Sequence, residues 1–98
     1  MKDQLLPPGV KPIFRLGNVV VTAHALSRLP IEDISVALGR HSQGDWGDID
    51  FVDARNNEAG LKHQFGIHSV YHDRNGVAFW IITDEGWKTT TVLLPEDY

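Results

Sequence analysis

Several side chains of this chain have the types that metal-free RNA cleavage needs. That chemistry requires a general base, a general acid, and a cation or hydrogen-bond donors beside the phosphate. His41, Arg55, Tyr71 and Lys88 are the catalytic candidates, with Arg40, Ser69 and the threonines as supporting groups. Trp46 or Trp80 can stack a base, a contact worth ~1–3 kcal/mol. Such a list can be drawn from almost any chain of this size, so the residues matter only if the fold brings them together. The plainer reading of His41 is a structural histidine at a helix end. The plainer reading of Trp46 is a hydrophobic plug that ties its loop to the core.

The densest cluster of chemistry-bearing residues is Arg40-His41-Ser42-Gln43-Gly44-Asp45-Trp46-Gly47-Asp48, followed by Asp50 and Asp53. Calcium prefers several oxygen ligands, but its loop motif needs carboxylates at alternate positions, a central glycine and a late glutamate. The tract lacks that spacing, and its aspartates read better as caps and turn residues. His63, His68 and His72 raise the question of zinc. His68 and His72 on one strand stand about 13 Å apart at ~3.3 Å per residue, too far to share an ion. Ser42 follows His41 directly, a poor geometry for activation, and there is neither a nucleophile elbow nor a cysteine. Gly44-Asp45-Trp46-Gly47 has too few glycines for a phosphate loop and places an anion where the phosphate would sit. No metal and no cofactor is expected.

The elements that must position these groups read as α+β. Residues 1–12 form a loose lead-in punctuated by Pro7, Pro8, Gly9 and Pro12, and residues 13–98 form a single domain. Ile13–Arg15 and Val19–Val21 suit a short hairpin or a strand. Thr22 can cap a helix over residues 23–29. Pro30 opens a second helix, where Ile31, Ile34, Leu38 and His41 make one stripe and Glu32 and Asp33 suit the first turn. The glycine-flanked tract is then a loop. A third helix starts near Asp50, with Asp50 and Asp53 resembling a capping box. Strands follow at 67–72, 77–83 and 88–94, separated by Asp73-Arg74-Asn75-Gly76 and Asp84-Glu85-Gly86 and stopped by Pro95. The last third is a three-stranded antiparallel meander.

Alternation assigns the faces of that meander. Pairing His72 with Val77 and Thr83 with Lys88 places Ile67, Ser69, Tyr71, Ala78, Trp80, Ile82, Thr89, Thr91 and Leu93 together. The other face, with His68, Val70, Val77, Phe79, Ile81, Thr90, Val92 and Leu94, is more continuously apolar and should take the helices. The more polar face, Ser69, Tyr71, Trp80, Thr89 and Thr91, is expected to floor a groove. A one-residue slip in register would exchange the faces.

The net charge of −4 argues against a broadly basic nucleic-acid-binding surface. A hydrophobic content of 42% is ordinary for a globular chain. At 98 residues, one core of modest stability is expected, burying roughly 60–65% of the unfolded surface. The absence of cysteine excludes disulfides and fits a reducing compartment. No long apolar run marks a leader or a membrane span, so a soluble cytoplasmic protein without membrane partners is expected.

Together, His41 with Gly44-Asp45-Trp46-Gly47, Asp53, Asn57-Glu58-Ala59, Ser69, Tyr71, Trp80-Ile81-Ile82-Thr83 and Thr90-Thr91-Val92-Leu93-Leu94-Pro95-Glu96-Asp97-Tyr98 resemble a group of short bacterial proteins. The group is carried with plasmid or mobile-element genes, and some members are labelled plasmid-related proteins or type I restriction endonuclease subunits. The resemblance spans roughly residues 19–98. Where that group has an Asp-Arg-Ser stretch, this chain reads Gly86-Trp87-Lys88, and lysine lacks the bidentate fork of arginine. No methyltransferase cofactor motif accompanies the restriction label.

At the level of architecture, helices followed by a meander are similar to the barnase, colicin and RelE-type ribonucleases, although fold does not fix function. Two readings follow. The first is a non-enzymatic binding or accessory domain linked to plasmids or mobile elements, with Asp45, Trp46, Ser69, Trp80, Thr89 and Thr91 as binding residues and a protein partner or self-association. The alternative is a metal-independent, toxin-like ribonuclease with RNA as its partner.

Overall fold

A computed structural model describes residues 5–98. The elements are β1 (Asn18–Val21), α1 (Ala23–Arg28), α2 (Ile31–Ser42), α3 (Phe51–His63), β2 (Ile67–His72), β3 (Ala78–Thr83) and β4 (Thr89–Leu93), closed by a 3-10 turn at Pro95–Asp97. The fold is α+β. Its four-stranded sheet has the order β1-β4-β3-β2. The three C-terminal strands form the expected antiparallel meander, and β1 joins it as a fourth strand, parallel to β4. The hairpin alternative at residues 13–21 does not form, because β1 finds its partner in β4 rather than in the preceding segment.

The helices begin where the capping chemistry predicts. Thr22 accepts the Ala25 N–H ahead of α1, and Asp50 accepts the Asp53 N–H ahead of α3. Pro30 stands one position earlier than expected, at the cap of α2. Glu32 and Asp33 occupy the first turn of α2, and Arg40 and His41 the last. Ile34, Leu38 and His41 of the predicted stripe are buried, whereas Ile31 is exposed.

Helices α1 and α2 pack on one face of the sheet, over β4 and β3, and α3 lies along the β2 edge. Ala25, Leu29, Ile34, Ala37 and Leu38 meet Tyr71, Phe79, Ile81, Val92 and Leu94 in the larger core. A second cluster of Phe14, Leu16, Trp46, Ile67 and Trp87 is flanked by Ala54 and Leu61 of α3. Leu5 and Leu6 of the lead-in reach back to the larger core. No helix among the described residues is long and apolar enough to cross a membrane.

The register corrects the expected faces. His72 pairs with Ala78 rather than Val77, and Thr83 with Thr90 rather than Lys88. Asp73 causes the first shift. Its Oδ1 accepts the N–H groups of Asn75 and Val77 at 2.8 Å each, holding Val77 in the turn. This one-residue slip turns β2 over relative to β3. Ile67, Ser69 and Tyr71 therefore face the helices together with Phe79, Ile81, Thr83, Thr90 and Val92. The second shift is by two residues, so β4 keeps its predicted parity. Trp80, Ile82, Thr89 and Thr91 lie half-buried on the opposite face, which α1 and α2 leave open and Tyr98 partly covers, without Ser69 and Tyr71.

Candidate functional site

His41 lies at the centre of a buried polar chain. Its Nδ1 is 2.6 Å from Ser69 Oγ, and its Nε2 is 2.9 Å from Thr83 Oγ1. Thr83 Oγ1 is 2.8 Å from Thr90 Oγ1, and Thr90 donates to the Leu16 carbonyl at 2.6 Å. That carbonyl can only accept, so the direction of the whole chain is set. Thr83 donates to Thr90, His41 donates from Nε2 to Thr83, and Ser69 donates to Nδ1. Phe14 and Trp46 close the ring's flanks with centroids at 5.4 and 5.9 Å. Burial, with a smaller contribution from His68, pushes the His41 pKa down to about 3. The imidazole is neutral, saturated with partners and fully enclosed.

The Arg40–Asp48 tract seals the β2 edge of the sheet. Val70 donates its N–H to the Trp46 carbonyl at 3.1 Å, and Asp48 donates to the Val70 carbonyl at 2.8 Å. Gly47 thereby forms a parallel bridge to Val70. Its φ is 73°, and a Cβ there would collide with the Val70 carbonyl oxygen, so only glycine fits. Trp46 is buried, and its indole N–H donates to Glu58 of α3 at 3.1 Å. Asp45 takes Arg40 in a bidentate pair at 2.7 and 3.1 Å, which holds its carboxyl below the usual carboxylate range. Its carbonyl accepts the Tyr71 hydroxyl at 2.7 Å, and the Arg40 guanidinium lies 4.9 Å from the Tyr71 ring centre. Burial raises the Tyr71 pKa.

A groove of about 250 Å³ lies beside this loop, between α2 and the end of β2. Arg40 and Arg74 line it, and each already grips a carboxylate: Arg40 that of Asp45, Arg74 that of Asp33 at 2.8 and 3.1 Å.

The four catalytic candidates do not converge on an open cleft. His41 and Tyr71 point into the interior. Arg55 stands on the exposed side of α3 over the Phe51 ring, and Lys88 lies in the exposed turn before β4. Among the binding candidates, Asp45 sits on the surface, Trp46 and Ser69 are core residues, and only Trp80, Thr89 and Thr91 share a surface.

That surface is the open face of the sheet. By alternation it carries Asn18 and Val20 of β1, Thr89, Thr91 and Leu93 of β4, Ala78, Trp80 and Ile82 of β3, and His68, Val70 and His72 of β2. It has no Asp, Glu, Lys or Arg. His68 packs edge-on to Trp80 at 4.9 Å, and Tyr98 approaches Trp80 from another side at 5.5 Å. Burial lowers the His68 pKa, and its Nε2 is buried with no partner among the described residues.

Thr83, Thr90 and Asn57 escaped the sequence reading as organising residues. A threonine at an inward position among Ile81 and Val92, and an asparagine midway along a weakly amphipathic helix, are the signals that mark them. Among the described residues, no group of three or more His, Asp or Glu side chains is placed to hold a metal ion. Comparison with family models, curated proteins and solved structures found no match to the chain.

Proposed function

We propose that the chain is a non-enzymatic binding domain whose open sheet face receives a protein partner. The observation that carries this reading is the half-buried strip of Trp80, Ile82, Thr89 and Thr91, whose strands place no Asp, Glu, Lys or Arg on that face in a chain of net charge −4. Interface centres are depleted in charged residues and enriched in Trp and Tyr, and Trp80 with Tyr98 and His68 supplies such a centre. The setting implied by the resemblance, a plasmid or mobile element, belongs to the same proposal. The ribonuclease alternative is the weaker reading, because its general base would be His41, which is enclosed and has both ring nitrogens engaged.

Affinity capture from the native host with the wild-type chain and with Trp80→Ala tests the reading. Circular dichroism and thermal melting establish that both are folded. A partner retained by the wild type and lost by the variant supports it. Identical captured proteins from both chains would refute it. Incubation with labelled RNA, with and without chelator, tests the alternative, for which cleavage by wild type but not by His41→Gln is required.

A further inference from the structure

The two edges of the sheet are treated very differently. The β2 edge is sealed by the bridge at Gly47 and by Asn57, whose side chain bonds both backbone groups of His68. The β1 edge has no such cover among the described residues. Asn18 and Thr22 direct their N–H groups to the Lys88 and Val92 carbonyls at 2.9 and 3.0 Å. In a parallel ladder the alternate residues point the other way. The N–H and C=O groups of Val19 and Val21 therefore face outward, although their side chains pack on the core. Native edges are blunted by charge, proline, a bulge or a covering segment. Asn18-Val19-Val20-Val21 has no charge or proline, and Val20 is 46% exposed.

We infer that β1 is a self-association edge that pairs antiparallel with β1 of a second copy of this chain about a two-fold axis through Val20. The spacing of the free groups selects this arrangement. Val19 of one copy opposite Val21 of the other exchanges both N–H···O bonds, and the symmetric pair does the same. All four outward residues of the two strands are then satisfied. Val20 faces Val20 of the second copy as the close, non-hydrogen-bonded pair on the open face. The charges are complementary. Antiparallel pairing brings the Arg15 end of one strand towards the end of the other near exposed Glu96, Asp97 being already held by His24 and Thr22, and Arg15 has no carboxylate partner among the described residues. The product is one continuous sheet with both helical layers on one side and both open faces on the other. The inference is independent of what the open face binds.

So short a strand buries less than a standard interface, and association in the range of roughly 10 µM to 1 mM is expected. Sedimentation equilibrium over that range, with amide hydrogen exchange at its two ends, provides the test. The wild type should dimerise, with Val19 and Val21 amides protected at high concentration. Val20→Lys sets like charges opposite each other on an exposed site and should weaken the dimer at least tenfold. Val36→Lys, on exposed α2, should leave it unchanged. A wild-type chain that stays monomeric to 1 mM overturns the inference. So does a dimer that survives Val20→Lys, or protection of Val19 and Val21 that appears only when a foreign peptide is added.

Discussion

Asn57 completes the backbone of His68: its Nδ2 donates to the His68 carbonyl at 2.8 Å, and the His68 N–H donates to its Oδ1 at 3.0 Å. One buried amide side chain on α3 thus substitutes for a neighbouring strand at the β2 edge. Loss of the amide leaves two backbone groups without protein partners in a partly buried setting. Asn57→Ala is expected to cost roughly 1–3 kcal/mol in urea unfolding. Asn57→Asp should also destabilise, since a carboxylate cannot donate to the carbonyl. Faster exchange of the His68 amide, above that of Val70, would confirm the location. Unchanged stability of both variants would show the edge to be held by other means.

Gly47→Ala should be the most damaging single change in the loop. It combines a left-handed backbone angle with a collision against the Val70 carbonyl, at an expected cost of roughly 2–4 kcal/mol. The bridge should open, exposing the Val70 amide to exchange and leaving an uncovered edge prone to aggregation. Denaturant unfolding and light scattering of the purified variant measure the two effects.

His41 predicts a pH dependence. Its folded pKa is depressed from 6.5 to about 3, so the unfolded chain binds the extra proton between those values. Its contribution to stability is complete above pH ~6.5 and falls as pH drops towards 3, by at most about 1.4 kcal/mol per unit. His41→Leu removes the donor to Thr83 and the acceptor for Ser69. It should lower stability at pH 7 by roughly 2–4 kcal/mol and flatten the slope between pH 6 and 4. His68, lowered in the same direction, retains a part of the slope. Chemical denaturation at three pH values would show this, and parallel slopes for wild type and variant would contradict the neutral, enclosed ring.

Arg40 and Asp45 are about half exposed, so their ion pair contributes little despite its bidentate geometry. Asp45→Asn should cost less than about 1 kcal/mol, and the difference from wild type should shrink in 1 M salt. Melting temperatures at low and high salt decide it. A loss as large as that of Gly47→Ala would mean that the carboxylate holds more of the loop than its contacts indicate.

The local signals in the sequence were dependable where the interaction is local. Thr22 and Asp50 cap the helices they precede, and the Asp73–Gly76 and Asp84–Gly86 turns divide the meander as expected. The position of β1 was not legible, because its partner is at the other end of the chain and neither strand carries a mark of the pairing. The faces of the meander failed on a single residue. Asp73 Oδ1 captures the Val77 N–H, an interaction that the Asp-Arg-Asn-Gly turn does not announce, and the slip moves Ser69 and Tyr71 indoors. Of the candidate residues, Trp80, Thr89 and Thr91 share one half-buried sheet face as alternation predicts, whereas His41 and Ser69 form an interior chain instead of a reactive pair.

The bond from Thr90 to the Leu16 carbonyl joins residues 74 positions apart, and the neighbouring β1–β4 ladder spans a similar stretch. During synthesis, helices α1 and α2 leave the ribosome long before the strand that must lie beside β1. Until then Val19, Val20 and Val21 have no sheet to join, and the order of the molecule's completion is imposed by the late arrival of β4. Closure of so large a loop is slow relative to helix formation. The valine strand therefore stays unpaired until β4 has been made, and its entry into the sheet is a late step of folding.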